Sequence, residues 1–305
     1  MKRKIKLLFD NHISYGSKEH FFHFLWGYLL PSISIIFEKK RQNEHDDVVY
    51  CFETCGPIMD KVITEVINLL SINAIVLPQE QLTLIHDSEL VHRWDLYLLR
   101  DYLLGIDNEP CSHIEDFKNC TYLKCFLQAS KFEEQFKTQI LQVKSIFLKY
   151  IYTDKKNKES ILENRPTLVI NRSGMPAYYC KDGLAETKGY GKSRRELRDV
   201  NNFVKNCERK GLFIKAYEPG RHSLVHQIIT FQNASGIIGI KGAEFANLIW
   251  LKQGAMVTLI RPANMRTPSV QRKLAEILNL DFTEIISEGD NYPSILNINL
   301  NTYMK

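Results

Sequence analysis

Residues 237–262, IIGIKGAEFANLIWLKQGAMVTLIRP, constrain the fold more than any other stretch. Ile237, Ile238 and Ile240 flank Gly239 in a short β-branched run. Lys241-Gly242-Ala243 interrupts it, and residues 245–251 take up a helical period. Residues 255–260 follow Gly254 as a second strand-like run that ends at Arg261-Pro262. Strand, tight turn, helix and strand make a β-α-β unit, which commits the chain to a parallel sheet. A helix entered this way leaves its first N–H groups unpaired at the sheet's carboxyl edge, where the dipole favours an anion. Gly242 and Ala243 let a phosphate come close, and Lys241 adds a full charge. An ordinary crossover with a solvated lysine would carry the same letters, so the rest of the chain has to decide.

The same alternation runs through the chain. Residues 4–9 read as a first strand that delivers Asp10 to its carboxyl end, where open α/β sheets place ligands. A helix from residue 17, capped by Ser17, carries His23 and is expected to kink or stop near Pro31. Strands at 48–52 and 74–77 flank an amphipathic helix at 58–70, and residues 132–150 carry a helical apolar stripe. Residues 153–160 are the most polar run and mark a domain boundary. Beyond it, strands at 167–171 and 212–216, helices at 193–210 and 223–232, and the opening β-α-β build a second parallel unit. A helix ends at residue 278, and residues 294–300 are expected to form a last strand. The expected domains are therefore 1–154 and 161–290, with 291–305 returning to the first.

Composition narrows the function. The 305 residues are 44% hydrophobic and 25% charged, as in a globular protein of about two domains. A net charge of +5 from 40 basic and 35 acidic residues is too mixed for a nucleic-acid binder and suits a local anion site. Seven cysteines lack zinc-ligand spacing and read as reduced core thiols. The apolar stretch 21–37 carries His23, Gly27 and Pro31 and reads as a core helix, too short for a membrane span. Gly191-Lys192-Ser193 imitates a P-loop, but Glu186 stands where the first glycine belongs. No Gly-x-Gly-x-x-Gly follows a predicted strand, which argues against a dinucleotide cofactor, and no Asp-x-Asp is present for a metal-held diphosphate.

Four stretches together resemble glycosyltransferase family 61. His20-Phe21-Phe22-His23-Phe24-Leu25 with Leu30-Pro31 is similar to the family's aromatic helix, and Val169-Ile170-Asn171-Arg172 and Arg194-Arg195-Glu196-Leu197 are similar to its arginine segments. Residues 223–234 resemble the helix before the family signature, and residues 239–262 resemble the signature itself. Two departures stand out: Lys241-Gly242-Ala243 replaces the usual His-Gly-Ala, and Asp199-Val200 replaces Asn-Glu. A lysine still binds phosphate, as a point charge.

The resemblance implies an α/β, GT-B-like fold of two Rossmann-like domains whose parallel sheets face a central cleft. It implies an inverting transfer, without metal or cofactor, from a UDP- or CMP-linked nucleotide sugar to a glycan hydroxyl in bacterial surface polysaccharide or lipooligosaccharide synthesis. The expected setting is cytoplasmic, at the inner face of the membrane with peripheral contact, and no nucleic acid is involved. Such chemistry needs charge stabilisation for the departing phosphate and a base for the acceptor hydroxyl. The donor side is assigned to Arg172, Arg195, Glu218, Lys241, Gly242, Ala243, Glu244 and Asn247. His23 leads as the base, because an imidazole titrates near neutrality, with Asp10 and Asp95 in reserve. A structural histidine and a solvated Arg195 on a helix face are the competing readings of two of these. At the level of function the competitor is a catalytically silent nucleotide- or glycan-binding protein of the same fold.

Overall fold

The computed structural model describes residues 2–9, 18–42, 48–91, 94, 132–154, 165–172, 195–264, 270–287 and 291–298. The chain divides into two compact units, Met1–Asp154 and Lys155–Lys305.

In the first unit four parallel strands stand in the order β3-β2-β1-β4: β1 Arg3–Phe9, β2 Val48–Glu53, β3 Ala74–Leu77 and β4 Ser88–Val91. Ile5, Leu7 and Phe9 alternate onto the buried face of β1, as a period of two requires. The helical segment Phe21–Arg41 packs there through Tyr28, whose ring stacks on Phe9 at 4.0 Å. The Tyr28 hydroxyl accepts from Glu53 N–H at 2.8 Å and donates to Glu53 C=O at 3.2 Å, tying the helix to the end of β2. Phe136, Ile140, Val143 and Phe147 of the helix Phe132–Ile151 form a fully buried stripe at helical spacing.

Helix Phe21–Arg41 departs from expectation at both ends. It begins at Phe21, with no side-chain cap, and it does not stop at Pro31. A π turn over Leu25–Leu29 precedes the proline, and Leu30–Arg41 continues as α-helix with Pro31 in its first turn, where the missing N–H costs little. By length and composition Phe21–Arg41 could cross a membrane, contrary to the sequence reading, and 67% of its apolar window is buried within the protein.

The second unit holds five parallel strands in the order β6-β5-β7-β8-β9: β5 Thr167–Ile170, β6 Ile214–Tyr217, β7 Gly236–Ile240, β8 Met256–Pro262 and β9 Asp281–Ser287. Every residue of β7 is buried, so its unbroken apolar run is that of a parallel strand covered on both faces. β4 and β9 lie at sheet edges and lack a long apolar run, which is why neither was legible in the sequence.

Two expectations for this unit fail. Residues 195–198 are not helical but pair with the C-terminal segment: Glu196 N–H bonds Asn291 C=O at 3.1 Å and Arg198 N–H bonds Pro293 C=O at 2.9 Å. The helix starts only at Val200, after Asp199 turns left-handed at φ 62°. The described part of the C-terminal segment, residues 291–298, forms this pairing and a short 3-10 turn, Ile295–Asn297, not a strand. Ile295 is fully buried with Val169, Ile238 and Ile260 of the second unit. Cys51, Cys55 and Cys207 are buried free thiols, and burial pushes each pKa up.

Two glycines should respond oppositely to alanine. A Cβ on Gly236 would stand 2.7 Å from the Met256 carbonyl oxygen of the neighbouring strand, whereas one on Gly27, inside the π turn, meets nothing within 4 Å. Gly236→Ala is expected to destabilise by about 1–3 kcal/mol, and Gly27→Ala to stabilise by about 0.5–1 kcal/mol. The midpoints of urea unfolding would shift in opposite directions.

Candidate functional site

The chain enters the second sheet at β5, adds β6 on one side and crosses to β7 on the other. The carboxyl ends of β5 and β7 therefore diverge, and such a switch point is where open α/β sheets bind ligands. Register places Val169 beside Ile238, so Arg172 just beyond β5 faces the turn Lys241-Gly242 just beyond β7.

There Arg172 Nε donates to Glu244 Oε1 at 3.0 Å, with the arginine side chain 6% and the glutamate 15% exposed. Arg172 Nη1 and Glu244 Oε2 are buried without a hydrogen-bond partner. The pair lies over Gly242. An added Cβ at this position would stand 2.5 Å from Glu244 Oε2 and 2.9 Å from Arg172 Cζ. Gly242 is extended at φ −169°, so what the position demands is space and not a left-handed backbone.

The helix behind the turn, Ala243–Trp250, is 3-10 and not α. Its first backbone bond runs from Phe245 N–H to Gly242 C=O, so the N–H groups of Ala243 and Glu244 precede the ladder. Eight residues is long for a 3-10 helix. Two glutamines of the preceding helix, Leu224–Gln232, hold it. Asn247 Nδ2 donates to Gln227 Oε1 at 3.0 Å, and Gln232 Nε2 donates to the Trp250 carbonyl. Gln227 Nε2 in turn donates to the His222 carbonyl at 3.0 Å, which carries the buried chain to the loop after β6. In that loop the His222 ring stacks on Tyr217 at 5.1 Å and on His226 at 4.1 Å, while His226 Nδ1 lies 3.3 Å from the Tyr217 hydroxyl. Burial, then the neighbouring His222, lowers the pKa of His226.

The residues singled out from sequence therefore divide. Arg172, Gly242, Ala243 and Glu244 come together. Lys241 adjoins them in the chain, its side chain buried and its N–H donated to Ile260 C=O at 2.8 Å. Asn247 lies one 3-10 turn beyond Glu244 and is spent on Gln227. Glu218, just past β6, pairs with Arg221 at 2.9 Å. Arg195 lies partly buried on this non-helical segment and not on a helix face. In the first unit, His23 sits partly buried on the short helix after β1, with its ring edge-on to Phe22 at 6.0 Å. Burial, then the charge of His20, lowers its pKa to about 4. Asp10 and Asp95 lie outside the described residues. Among the described residues no three His, Cys, Asp or Glu side chains are grouped as a metal site would require.

Sequence reasoning missed the Arg172–Glu244 pair and the Gln227–Asn247 bridge. The second had a signal, since Gln227 and Asn247 are lone amides on otherwise apolar faces, and a buried amide needs a partner. The first pairs residues 72 positions apart, and only the parallel register reveals it.

A family model described as Glycosyltransferase 61 matches residues 20–258, well over half of the chain and spanning both units. No curated protein matches the sequence.

The amide bridge is open to a double-mutant test. Gln227→Leu strands the buried Asn247 amide and should cost about 1–3 kcal/mol in unfolding free energy. Adding Asn247→Leu should cost less than the sum of the two single changes, because the second removes the group left unpaired by the first.

Proposed function

The chain belongs to glycosyltransferase family 61 and is a glycosyltransferase, and from that premise we propose that the β5–β7 switch point holds the phosphate of a nucleotide-sugar donor. The observation that carries the proposal is the buried guanidinium of Arg172, whose Nη1 has no hydrogen-bond partner, at the edge where the glycine turn and the first amides of the 3-10 helix meet. Arginine offers a phosphate two parallel bonds where a lysine offers a point charge, so Arg172 and Lys241 divide these roles. The N–H groups of Gly242 and Ala243 complete the cradle. Glu244 takes a hydroxyl of the sugar or ribose, and Arg195 and Glu218 lie on the segments that border the donor. Asn247 acts by holding the helix in place.

The reaction we propose is a single displacement with inversion. The acceptor oxygen of a glycan hydroxyl attacks the anomeric carbon while the bond to the donor phosphate breaks. Negative charge grows on the phosphate oxygen, and preorganised donors at that position lower the barrier. The hydroxyl proton passes to a base on the first unit. His23 is the proposed base: with its pKa lowered to about 4 it is neutral near pH 7 and free of the proton it must accept, while the same burial makes it a weaker base than an exposed imidazole. Asp10 and Asp95 are the alternatives. In this proposal the two parallel-sheet units form a GT-B arrangement with the acceptor on the first unit, and the donor is UDP- or CMP-linked. The reaction needs no metal and serves bacterial surface polysaccharide or lipooligosaccharide synthesis at the cytoplasmic face of the membrane, which the protein touches peripherally.

Thermal-shift titration with nucleoside mono- and diphosphates tests donor binding, and failure of every nucleotide to stabilise the protein would remove the proposal. His23→Ala should abolish transfer while leaving nucleotide affinity nearly unchanged; loss of both would give His23 a structural role. A base must be deprotonated to work, so kcat/KM should stay level as the pH falls through 6 and drop only near 4, with that acid limb tracing His23.

A further inference from the structure

Glu244 occupies the place that the donor-phosphate reading gives to an anion. Its Oε2 lies 2.5 Å from where a Cβ on Gly242 would stand, so the carboxylate fills the space that the glycine opens. Its Oε1 neutralises Arg172, which is buried at this edge. The contact runs through Arg172 Nε alone, and Nη1 and Glu244 Oε2 are left without partners. A guanidinium and a carboxylate can make two parallel bonds, and a buried pair recovers its desolvation cost only when its remaining donors and acceptors are also satisfied. This pair leaves one of each unmet. A phosphate brings more oxygens and at least an equal charge, and it can reach both the guanidinium and the N–H groups of Gly242 and Ala243.

We infer that Glu244 is an internal counter-anion, which holds Arg172 in the cradle and is exchanged for the incoming phosphate. This rests on the donor-phosphate reading and adds a competition to it. The apparent affinity for phosphate is the intrinsic affinity scaled by the fraction of molecules in which Glu244 has released Arg172. Once released, the carboxylate is free for a donor hydroxyl, so the same residue excludes solvent ions from the arginine and later contacts the sugar nucleotide.

Inorganic pyrophosphate is the probe, because it carries no sugar or ribose hydroxyl for Glu244 to hold and so reports the competition for the arginine. By calorimetric titration of the full chain, Glu244→Gln should bind pyrophosphate about tenfold more tightly than the natural sequence, as release of a carboxylate engaged about nine-tenths of the time would give. The melting temperature of that variant should be lowered by the unpaired arginine and should rise further on adding pyrophosphate than that of the natural protein. Unchanged or weaker binding by a folded Glu244→Gln overturns the inference. Should that variant not fold, Glu244→Asp, which withdraws the carboxylate by one methylene, carries the same expectation and the same overturning result. Arg172→Gln separates this inference from the reading beneath it. Loss of pyrophosphate binding there upholds the arginine as the phosphate group and leaves Glu244 to be judged by its own variant. Binding undiminished by Arg172→Gln, or absent from every form, overturns both.

Discussion

A guanidinium buried at 6% exposure is tolerable only if something negative is beside it, and the second unit is built so that something always can be. Arg172 follows β5 and Glu244 follows β7, and these strands are neighbours only because the sheet is parallel and the chain crosses over itself after β6. Any slip in that register would carry one charge away from the other. The parallel pairing of Thr167, Leu168 and Val169 with Gly236, Ile237 and Ile238 is therefore what makes a buried cation possible at this edge. The glycines of β7 favour that register, since a Cβ on Gly236 would stand 2.7 Å from the Met256 carbonyl oxygen and one on Gly239 3.1 Å from Ile170 Cβ.

The helix that carries Glu244 is shaped for the same end. At three residues per turn, Glu244, Asn247 and Trp250 stand one above another, whereas an α-helix would fan them apart. One polar stripe thus faces the ion pair at its start and the glutamine helix further along. Asn247 bonds Gln227, the Trp250 carbonyl accepts from Gln232, and the extended 3-10 geometry persists because two buried side chains of a neighbouring helix clamp it. The clamp also reaches the His222 carbonyl, so the aromatic cluster of Tyr217, His222 and His226 after β6 shares one hydrogen-bonded frame with the turn after β7.

What could be read from the sequence followed the strength of the local signal. Strands with β-branched runs, such as β5, β7 and β8, and helices with a clear stripe, such as Phe132–Ile151, were legible because burial imposes a period that the letters record. β9 was not, since its edge position leaves Glu284 to be satisfied by Arg261 at 3.1 Å and the strand then reads as polar. Of the kink or stop expected near Pro31, the stop does not occur; a π turn lies just upstream and the helix continues, an adjustment that composition does not announce. Residues 195–198 carry a helical pattern yet are not helical, held by Asn291 and Pro293, and so tertiary pairing overrode propensity. At the site, the residue types and their strand-end positions were legible. Their partnerships were not, because Arg172–Glu244 and Gln227–Asn247 are decided by topology.

The two departures from the usual family residues make physical sense at their positions. Asp199 stands at φ 62°, a conformation that asparagine and aspartate tolerate better than other side-chain-bearing residues. Its carboxylate accepts from the Ser294 hydroxyl at 2.5 Å, so the acid serves the join between the non-helical segment and the C-terminal turn. Val200, in place of a glutamate, is buried in the core cluster with Phe203 and Ile295. Lys241, in place of histidine, is buried directly after β7, and its N–H donates to Ile260 C=O at 2.8 Å. In the proposed donor cradle Arg172 would give the forked contact and Lys241 a point charge, which a histidine would supply only when protonated.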